Sequence, residues 1–281
     1  MDIIRVFNGL GNQMSQYAFY LAKKERHPFM TFWTYFPEKD TSTSQHNGYE
    51  LDKVFGIRRN KLKDRFFSCL FESSILKGYV EQVWEQQNYD FTPELLEVRT
   101  PRHLRYFFGG WHSEKYFKNI RSLVLKKYTF KEKNLNNESK KWYSEILSVN
   151  SCSVHIRRGD YLKNENWKGV ANLEYYLKAI ALMRKKFPGI LFYVFSNDEQ
   201  WARQHFSIDD CKFIDCNKGC DSWQDMFLMS RCHHHINANS TFSWWAAWLC
   251  PYEDTIVMTP SRFMSNVINK DIYPERWIKI D

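Results

Sequence analysis

Short apolar runs alternate along this chain with segments of helical spacing. IIRVF (3–7) is β-branched and bounded by polar residues, which predicts a buried strand. MSQYAFYLAKKE (14–25) follows, with Met14, Tyr17, Ala18, Leu21 and Ala22 on one face of a helix. The same rhythm returns in the second half. CSVHI (152–156) reads as a strand, and YYLKAIALMRKKF (175–187) as an amphipathic helix stopped by Pro188-Gly189. ILFYVF (190–195), apolar without alternation, reads as a strand covered on both faces. KFIDC (212–216), the helix DMFLMSRC (225–232), HHHINA (233–238), the helix TFSWWAAWL (241–249) and TIVMT (255–259) continue the series. Strands alternating with helices predict an α/β fold with a largely parallel sheet. Residues 119–150 are polar and rich in Lys and Asn, so they form the expected hinge between an N-terminal unit, 1–150, and a C-terminal unit, 151–281.

Four polar signatures fall at the ends of these strands: NGLGNQ after 3–7, RRGD after 152–156, SND after 190–195 and NSTF after 233–238. Open parallel sheets bind ligands beyond the carboxyl ends of their strands, so these residues are the candidate site. Arg157 and Arg158 suit phosphate, because a guanidinium stays charged and forks onto oxyanions. The structural alternative is an Arg158–Asp160 pair tying the loop. Both hold if Arg157 turns to a ligand while Arg158 and Asp160 brace the turn. Ser240 and Thr241 stand at a helix start, either as a plain cap or as an anion site where N–H groups are unpaired. GLGNQM matches neither GxGxxG nor a P-loop. Gly9 and Gly11 would permit close backbone approach, with Asn12 and Gln13 donating hydrogen bonds. Asp225 opens a helix: it either caps that helix or accepts from N1–H and the 2-amino group of a guanine. The RGD letters at 158–160 end a strand rather than tip a hairpin, and are taken as coincidence.

Composition narrows the classes. The chain of 281 residues is 43% hydrophobic and 17% aromatic, enough for a real core and against disorder. A formal charge of +8 implies an anionic partner. No helix-turn-helix pattern, RNP signature or block of five basic residues is present, so nucleic acid ranks below a small anionic ligand or an acidic membrane face. No run approaches ~18 apolar residues, and MDIIRVFNGLGNQ lacks the features of a secretory signal, so a soluble protein is expected. Seven cysteines at irregular spacing fit a reduced compartment. Cys211, Cys216, Cys220 and Cys232, followed by His233, His234 and His235, raise zinc, but the spacing is not a standard knuckle and adjacent strand histidines point to opposite faces. Structural thiols and a half-exposed strand are expected instead. No Asp-x-Asp triplet occurs, so the usual metal bridge to a sugar-nucleotide diphosphate is missing; Arg157 and helix N-termini would stabilise such a leaving group without a metal.

GLGNQMSQYAF, GGWHSEKYF, SVHIRRGDY, FYVFSND, DMFLMSRC and INANSTFSWWAAWL, in this order, closely resemble the bacterial α-1,2-fucosyltransferase family, from about residue 3 to IYPERWIKI near the end. The resemblance implies a GT-B-like fold of two Rossmann-type halves with mainly parallel sheets facing across a cleft. Residues 1–150 would form the acceptor side and 151–281 the GDP-fucose side. It implies transfer of fucose, with inversion and without metal or other cofactor, from GDP-fucose to O2 of a terminal galactose. The acceptor would be a galactose-terminated or lipid-linked precursor of a surface glycan such as O-antigen or capsule. By the family pattern Arg157, with Arg158 beside it, would contact the β-phosphate, and His155 would lie beside the nucleotide. Asp225 would read guanine, and Asn239, Ser240, Thr241, Phe242 and Ser243 would form the phosphate-side segment. Gly11, Asn12 and Gln13 would form the loop near fucose and phosphate, and Asp198 would support the site as an acid behind it. For the acceptor proton, Asp160 and Glu165 are the nearest acids, and a route without a strong base stays open. Departures from the pattern are Asn8, Ser15, Ala246 and Cys250, none at an expected ligand contact. Rival readings are another fucosyl linkage, a non-catalytic GDP-sugar-binding module and, last, nucleic-acid binding. The protein is expected in the cytoplasm, peripheral at the inner membrane face, which makes the sequons at Asn137 and Asn239 chance.

Overall fold

Two sheets form, each around a strand whose residues are almost all buried. The computed structural model describes residues 1–27, 30–34, 47–72, 76–97, 104–206 and 209–281. They divide into two compact units, Met1–Phe130 with Lys270–Ile272, and Lys131–Asn269 with Tyr273–Asp281.

In the first unit β1 (Asp2–Val6), β2 (Met30–Thr34), β3 (Val80–Trp84) and β4 (Leu104–Phe108) make a parallel sheet in the order β2-β1-β4-β3. Helix α1 (Leu10–Arg26) covers one face, stacking Phe19 on Trp111 with ring centroids 4.4 Å apart. The short helix α2 (Leu51–Phe55) follows. Helix α3 (Lys61–Glu72) covers the other face, where Phe67 joins Ile3, Trp33, Val80 and Tyr106 in one apolar cluster. Asp2 is buried between two cations: Arg105 donates to it at 2.8 and 2.7 Å, and Lys23 lies 3.1 Å away. That carboxylate is compensated from both sides, as a buried charge must be.

The expected hinge at 119–150 is instead two helices, α4 (Arg121–Lys127) and α5 (Asn137–Leu147). The boundary lies at Phe130/Lys131 rather than at 150, because α5 is built into the second unit. The Asn136 side chain caps it by accepting from Ser139 N–H at 2.7 Å, Asn136 N–H donates to Gln224 at 2.8 Å, and Tyr193 donates to Glu145 at 2.9 Å.

The second unit carries β5 (Ser151–Ile156), β6 (Leu191–Ser196), β7 (Cys211–Ile214), β8 (His234–Ile236), β9 (Val257–Pro260) and β10 (Ile278–Ile280). They form a parallel sheet in the order β10-β9-β8-β5-β6-β7. Successive strands run one way from β5 to β7 and then resume on its other side at β8. The order therefore reverses between β5 and β8, where sheets of this kind hold ligands. Helices α6 (Leu173–Lys186) and α7 (Glu199–His205) pack on Cys152, Val154 and Ile156. The pleat sends Ser153 and His155 to the opposite face, where α8 (Trp223–Arg231) and α9 (Thr241–Trp248) lie against each other. Among the described residues no helix is long and apolar enough to cross a membrane.

Candidate active site

β5 delivers His155, Arg157 and Arg158 to the point where the strand order reverses. His155 is buried, its ring 5.7 Å from that of Phe242 on α9. Tyr176 on α6 fixes it from behind, donating to the His155 carbonyl at 2.9 Å. Burial, and then the Arg157 charge, push the imidazole pKa down to about 3, so the ring is neutral. Its Nδ1 is buried without a hydrogen-bond partner, which marks it as a polar atom awaiting one.

The two arginines are paired differently from the expectation. Arg157, not Arg158, holds Asp160: Nη2 donates to Oδ2 at 2.8 Å, and Nε lies 2.8 Å from Oδ1 off the hydrogen-bond direction. Arg158 reaches Asp198 instead, at 3.2 Å, with its guanidinium 4.4 Å over the ring of Trp201. The reason is geometric. The chain turns into a short helical turn at Tyr161, placing 157 and 160 on one side, while β6, parallel to β5, sets its own end beside Arg158. Asp198 also caps α7, accepting from Trp201 N–H at 3.3 Å.

Asn197, which sequence reasoning passed over, ties the turn together. Its Oδ1 accepts from Arg158 N–H at 2.8 Å and Gly159 N–H at 3.2 Å, and its Nδ2 donates to Asp160 at 3.1 Å. A Cβ on Gly159 would stand 3.1 Å from that Nδ2, a tight approach that would press on the Asn197 amide. Partial burial alone would raise the Asp160 pKa, but the Arg157 hydrogen bond and charge outweigh it and hold the carboxyl below its ordinary range. A carboxylate held that low is a weak base, so its geometry serves Arg157. Glu165 is largely exposed and lies 3.5 Å from Lys168.

Five residues expected on the phosphate side separate into two groups. Ser240 caps α9, accepting from Phe242 N–H at 3.3 Å, and Thr241 and Phe242 remain partly exposed. Asn239 and Ser243 are turned inward. The Asn239 amide donates to the Phe263 carbonyl at 3.0 Å, and the Ser243 hydroxyl to the Ser240 carbonyl at 3.4 Å. Both side chains are buried and hold the loop rather than face a ligand. Beside the arginines lies a cavity of about 410 Å³, lined by Arg157, Arg158, Tyr161, Trp167, Tyr176 and Trp201 among others. Tyr161 and Trp167 stack at 5.6 Å within it. Aromatic faces beside guanidinium suit flat or partly apolar rings, and neither Trp167 nor Trp201 carries a motif that would have singled it out.

Asp225 stands in the first turn of α8 but does not cap it. Asn217 donates to it at 2.8 Å and is itself held by Asn136 at 2.8 Å and Ser139 at 3.1 Å. Burial pushes the Asp225 pKa up to about 7 in spite of that donor. Asp225 is half-buried, and with a single side-chain donor on Oδ1 it retains acceptor capacity for another.

In the first unit α1 begins at Leu10, earlier than its periodicity suggests, and takes Gly11, Asn12 and Gln13 into its first turn. Gln13 is not free to donate to a ligand. Its amide donates to the carbonyls of Asn8 at 2.6 Å and Gly48 at 2.8 Å, and its Oε1 accepts from Glu50 N–H at 2.9 Å. Glu50 is buried, its backbone N–H held by Gln13, and burial raises its pKa. Asn8 has φ +64°, so it takes the left-handed conformation that glycine or asparagine tolerates. Asn12 is partly exposed.

A cluster absent from the sequence expectations surrounds Glu85, just past β3. Its carboxylate accepts from Gly110 N–H at 2.6 Å and from Trp111 N–H at 2.9 and 3.0 Å. A Cβ on Gly109 would meet Glu85 Cβ at 2.4 Å, and one on Gly110 would meet His112 Nε2 at 2.2 Å, so the GGWH turn is wound too tightly for any other residue. Burial pushes Glu85 up to about 7 against the pull of those N–H groups. His112, also buried, is lowered to about 3. The only sequence signal was GGWH itself, read as part of a resemblance and not as a turn around an acid.

The cysteine–histidine stretch is used structurally. His233 contacts Asp254 at 2.8 Å, His234 stacks on Phe187 at 4.1 Å, and His235 pairs with Ser153 at 2.8 Å. Among the described residues no three His, Cys, Asp or Glu side chains converge as a metal site.

The family model described as glycosyl transferase family 11 matches residues 3–281. An alpha-1,2-colitosyltransferase of Escherichia coli is 33% identical over 298 residues, covering 99% of this chain and 98% of the relative. Galactoside alpha-(1,2)-fucosyltransferase 1 of Saimiri boliviensis boliviensis is 31% identical over 137 residues, 46% of this chain and 37% of the relative. Among solved structures, POFUT1 in complex with GDP matches with a TM-score of 0.51 at 13% identity, covering 91% of this chain and 97% of that one, a likeness of GT-B-like fold. The chain is thus a member of glycosyl transferase family 11, the family of the bacterial α-1,2-fucosyltransferases that its motifs resemble.

Proposed function

We propose that the protein transfers L-fucose from GDP-β-L-fucose to O2 of a terminal galactose on a surface-glycan precursor, with inversion and without a metal. The observation that carries this is Arg157, a guanidinium braced by Asp160 at the carboxyl end of β5. As the bond from the anomeric carbon to the β-phosphate oxygen breaks, negative charge grows on the departing GDP. Arg157 and the N–H groups at the start of α9 other than that of Phe242, which Ser240 caps, answer that charge with dipoles already in place. The neutral His155 adds Nδ1 as a hydrogen-bond partner for the nucleotide, and Asp225 accepts from the guanine edge. On the acceptor side, the galactose hydroxyl gives its proton to water as the new C–O bond forms; the oxocarbenium-like centre is electrophilic enough to need no stronger base. Asp198 supports the site indirectly, holding Arg158. The reaction is placed in the cytoplasm, where lipid-linked acceptors are assembled.

The 33% identity to a colitosyltransferase favours one second reading. Colitose is fucose without its 3-hydroxyl, so the same phosphate chemistry would serve either donor. GDP release should be followed with GDP-fucose or GDP-colitose, with and without lactose, and with EDTA. The proposal expects release that needs GDP-fucose and lactose and survives EDTA, and Arg157→Ala should abolish it. Turnover with GDP-colitose alone replaces the donor. Binding without release makes the protein a sugar-nucleotide sensor, and inhibition by EDTA removes the metal-free mechanism.

A further inference from the structure

Helix α3 has two chemically opposite faces. Phe67 lies in the core, and Asp64 turns inward, accepting from Thr34 N–H at 2.9 Å and from the Thr34 hydroxyl. Outward stand Leu62, 83% exposed, and Phe66, 62% exposed, with the exposed Cys69 completing an i, i+4, i+7 stripe. Cations border the stripe. Arg58, Arg59, Lys61, Lys63 and Arg65 fall within eight positions, and the sole acid among them is the inward Asp64. Among the described residues Arg58, Lys61 and Arg65 form no ion pair. Arg58 also shares a pocket of about 510 Å³ with Lys126 and Lys127 at the end of α4, above Tyr17, Phe32 and Phe55. The basic residues just before α3 therefore meet those at the end of α4 around one pocket.

We infer that α3 is a docking helix for an anionic lipid bilayer: Leu62 and Phe66 enter the headgroup–acyl boundary while Lys61, Arg65 and the Arg58–Lys126–Lys127 group pair with lipid phosphates. Apolar side chains standing in water between cations are the pattern of an interfacial helix. A second copy of the chain is a poor occupant, since a two-fold contact would set the same cations against themselves. Nucleic acid would use the cations but leaves Leu62, which cannot stack, without purpose. The inference is independent of the proposed chemistry, because its test reads binding.

Flotation of the full chain with phosphatidylcholine vesicles, with or without about a third phosphatidylglycerol, tests it. Binding is expected only to the anionic vesicles, and it should fall with salt. Lys61→Glu with Arg65→Glu should weaken it at least about tenfold, since each basic residue near such a surface contributes several-fold. Leu62→Ser with Phe66→Ser should weaken it comparably in high salt, where the electrostatic part is screened. All four side chains are exposed, so far-UV circular dichroism and the thermal midpoint should stay at wild-type values. Equal partitioning to neutral vesicles, wild-type binding by both double variants, or displacement from vesicles by an oligonucleotide at equal charge concentration would each overturn the inference.

Discussion

Replacing Asp160 by Asn keeps the shape of the side chain and removes its charge, which separates positioning of Arg157 from proton removal. The pair is close, at 2.8 Å, and only about one quarter exposed, 27% for Arg157 and 22% for Asp160. A hydrogen bond to a charged group contributes about 1.5–3 kcal/mol, and solvent screening at this exposure reduces the expected loss of stability to about 1 kcal/mol. The folded-state pKa of Asp160 lies below its ordinary value, so this contribution is present at neutral pH and disappears as pH falls through the folded-state pKa. Urea melts of wild type and variant should therefore differ at neutral pH and converge in acid. Turnover should respond more. Losing one preorganised donor costs about 10²–10³ in kcat, and loosening rather than deleting Arg157 should cost about ten- to a hundredfold, with weaker GDP binding by calorimetry. If Asp160 instead removed the acceptor proton, kcat would collapse, GDP affinity would hold, and the acid limb of the pH–rate profile would vanish. Wild-type kcat together with wild-type GDP affinity in the variant would refute the positioning role.

Asp225 is raised to about 7, so its contribution to stability is greatest below the ordinary carboxyl pKa and is lost as pH rises through 7. Asp225→Asn should flatten that decline in melts taken across the range, and calorimetry should show it losing preference for GDP over IDP, which lacks the 2-amino group. Gly110→Ala forces a Cβ to 2.2 Å from His112 Nε2, and overpacking of this kind costs about 1–3 kcal/mol, visible as a lower thermal midpoint. An unchanged midpoint would mean that the turn relaxes freely. Gln13→Ala strips three hydrogen bonds made by a buried side chain, and about 2–4 kcal/mol should go with them; a loss of GDP affinity without a loss of stability would restore Gln13 to ligand binding.

The second unit was legible because its central strands are buried. β6 reads as an uninterrupted apolar run, β5 as a short run around Val154 and Ile156 with all six residues buried, and the helix between them ends at the visible signal Pro188-Gly189. Of the first unit's four strands only β1 gave that signal. β3, VEQVW, is an edge strand with a mostly exposed pattern, so its sequence carries charge where a central strand would carry valine. α5 was mistaken for a hinge because it is short and mostly solvated, burying only Ser139 and Ile146. The arginine pairing was not legible at all: Arg158 finds Asp198 forty residues away because β5 and β6 lie in register, Ile156 against Ser196, and no local spacing records that.

The strand ends of the two units differ in the donors they leave for an anion, and this is the physical basis of the proposed donor assignment. In the first unit the N–H groups of the GGWH turn are already occupied, since Gly110 and Trp111 both donate to the Glu85 carboxyl. A diphosphate brought there would find its donors taken by a resident side chain. In the second unit the corresponding turns carry Arg157, Arg158 and a neutral His155 with an unpartnered Nδ1. Their two acids, Asp160 and Asp198, are each matched to one guanidinium and lie at its side. Pairing of that kind leaves further N–H donors on each guanidinium, which has five, while fixing its direction. An anion therefore gains more at the carboxyl edge of β5 than at the GGWH turn, and removing the resident carboxyl by Glu85→Gln should alter folding of that turn without creating a second nucleotide site.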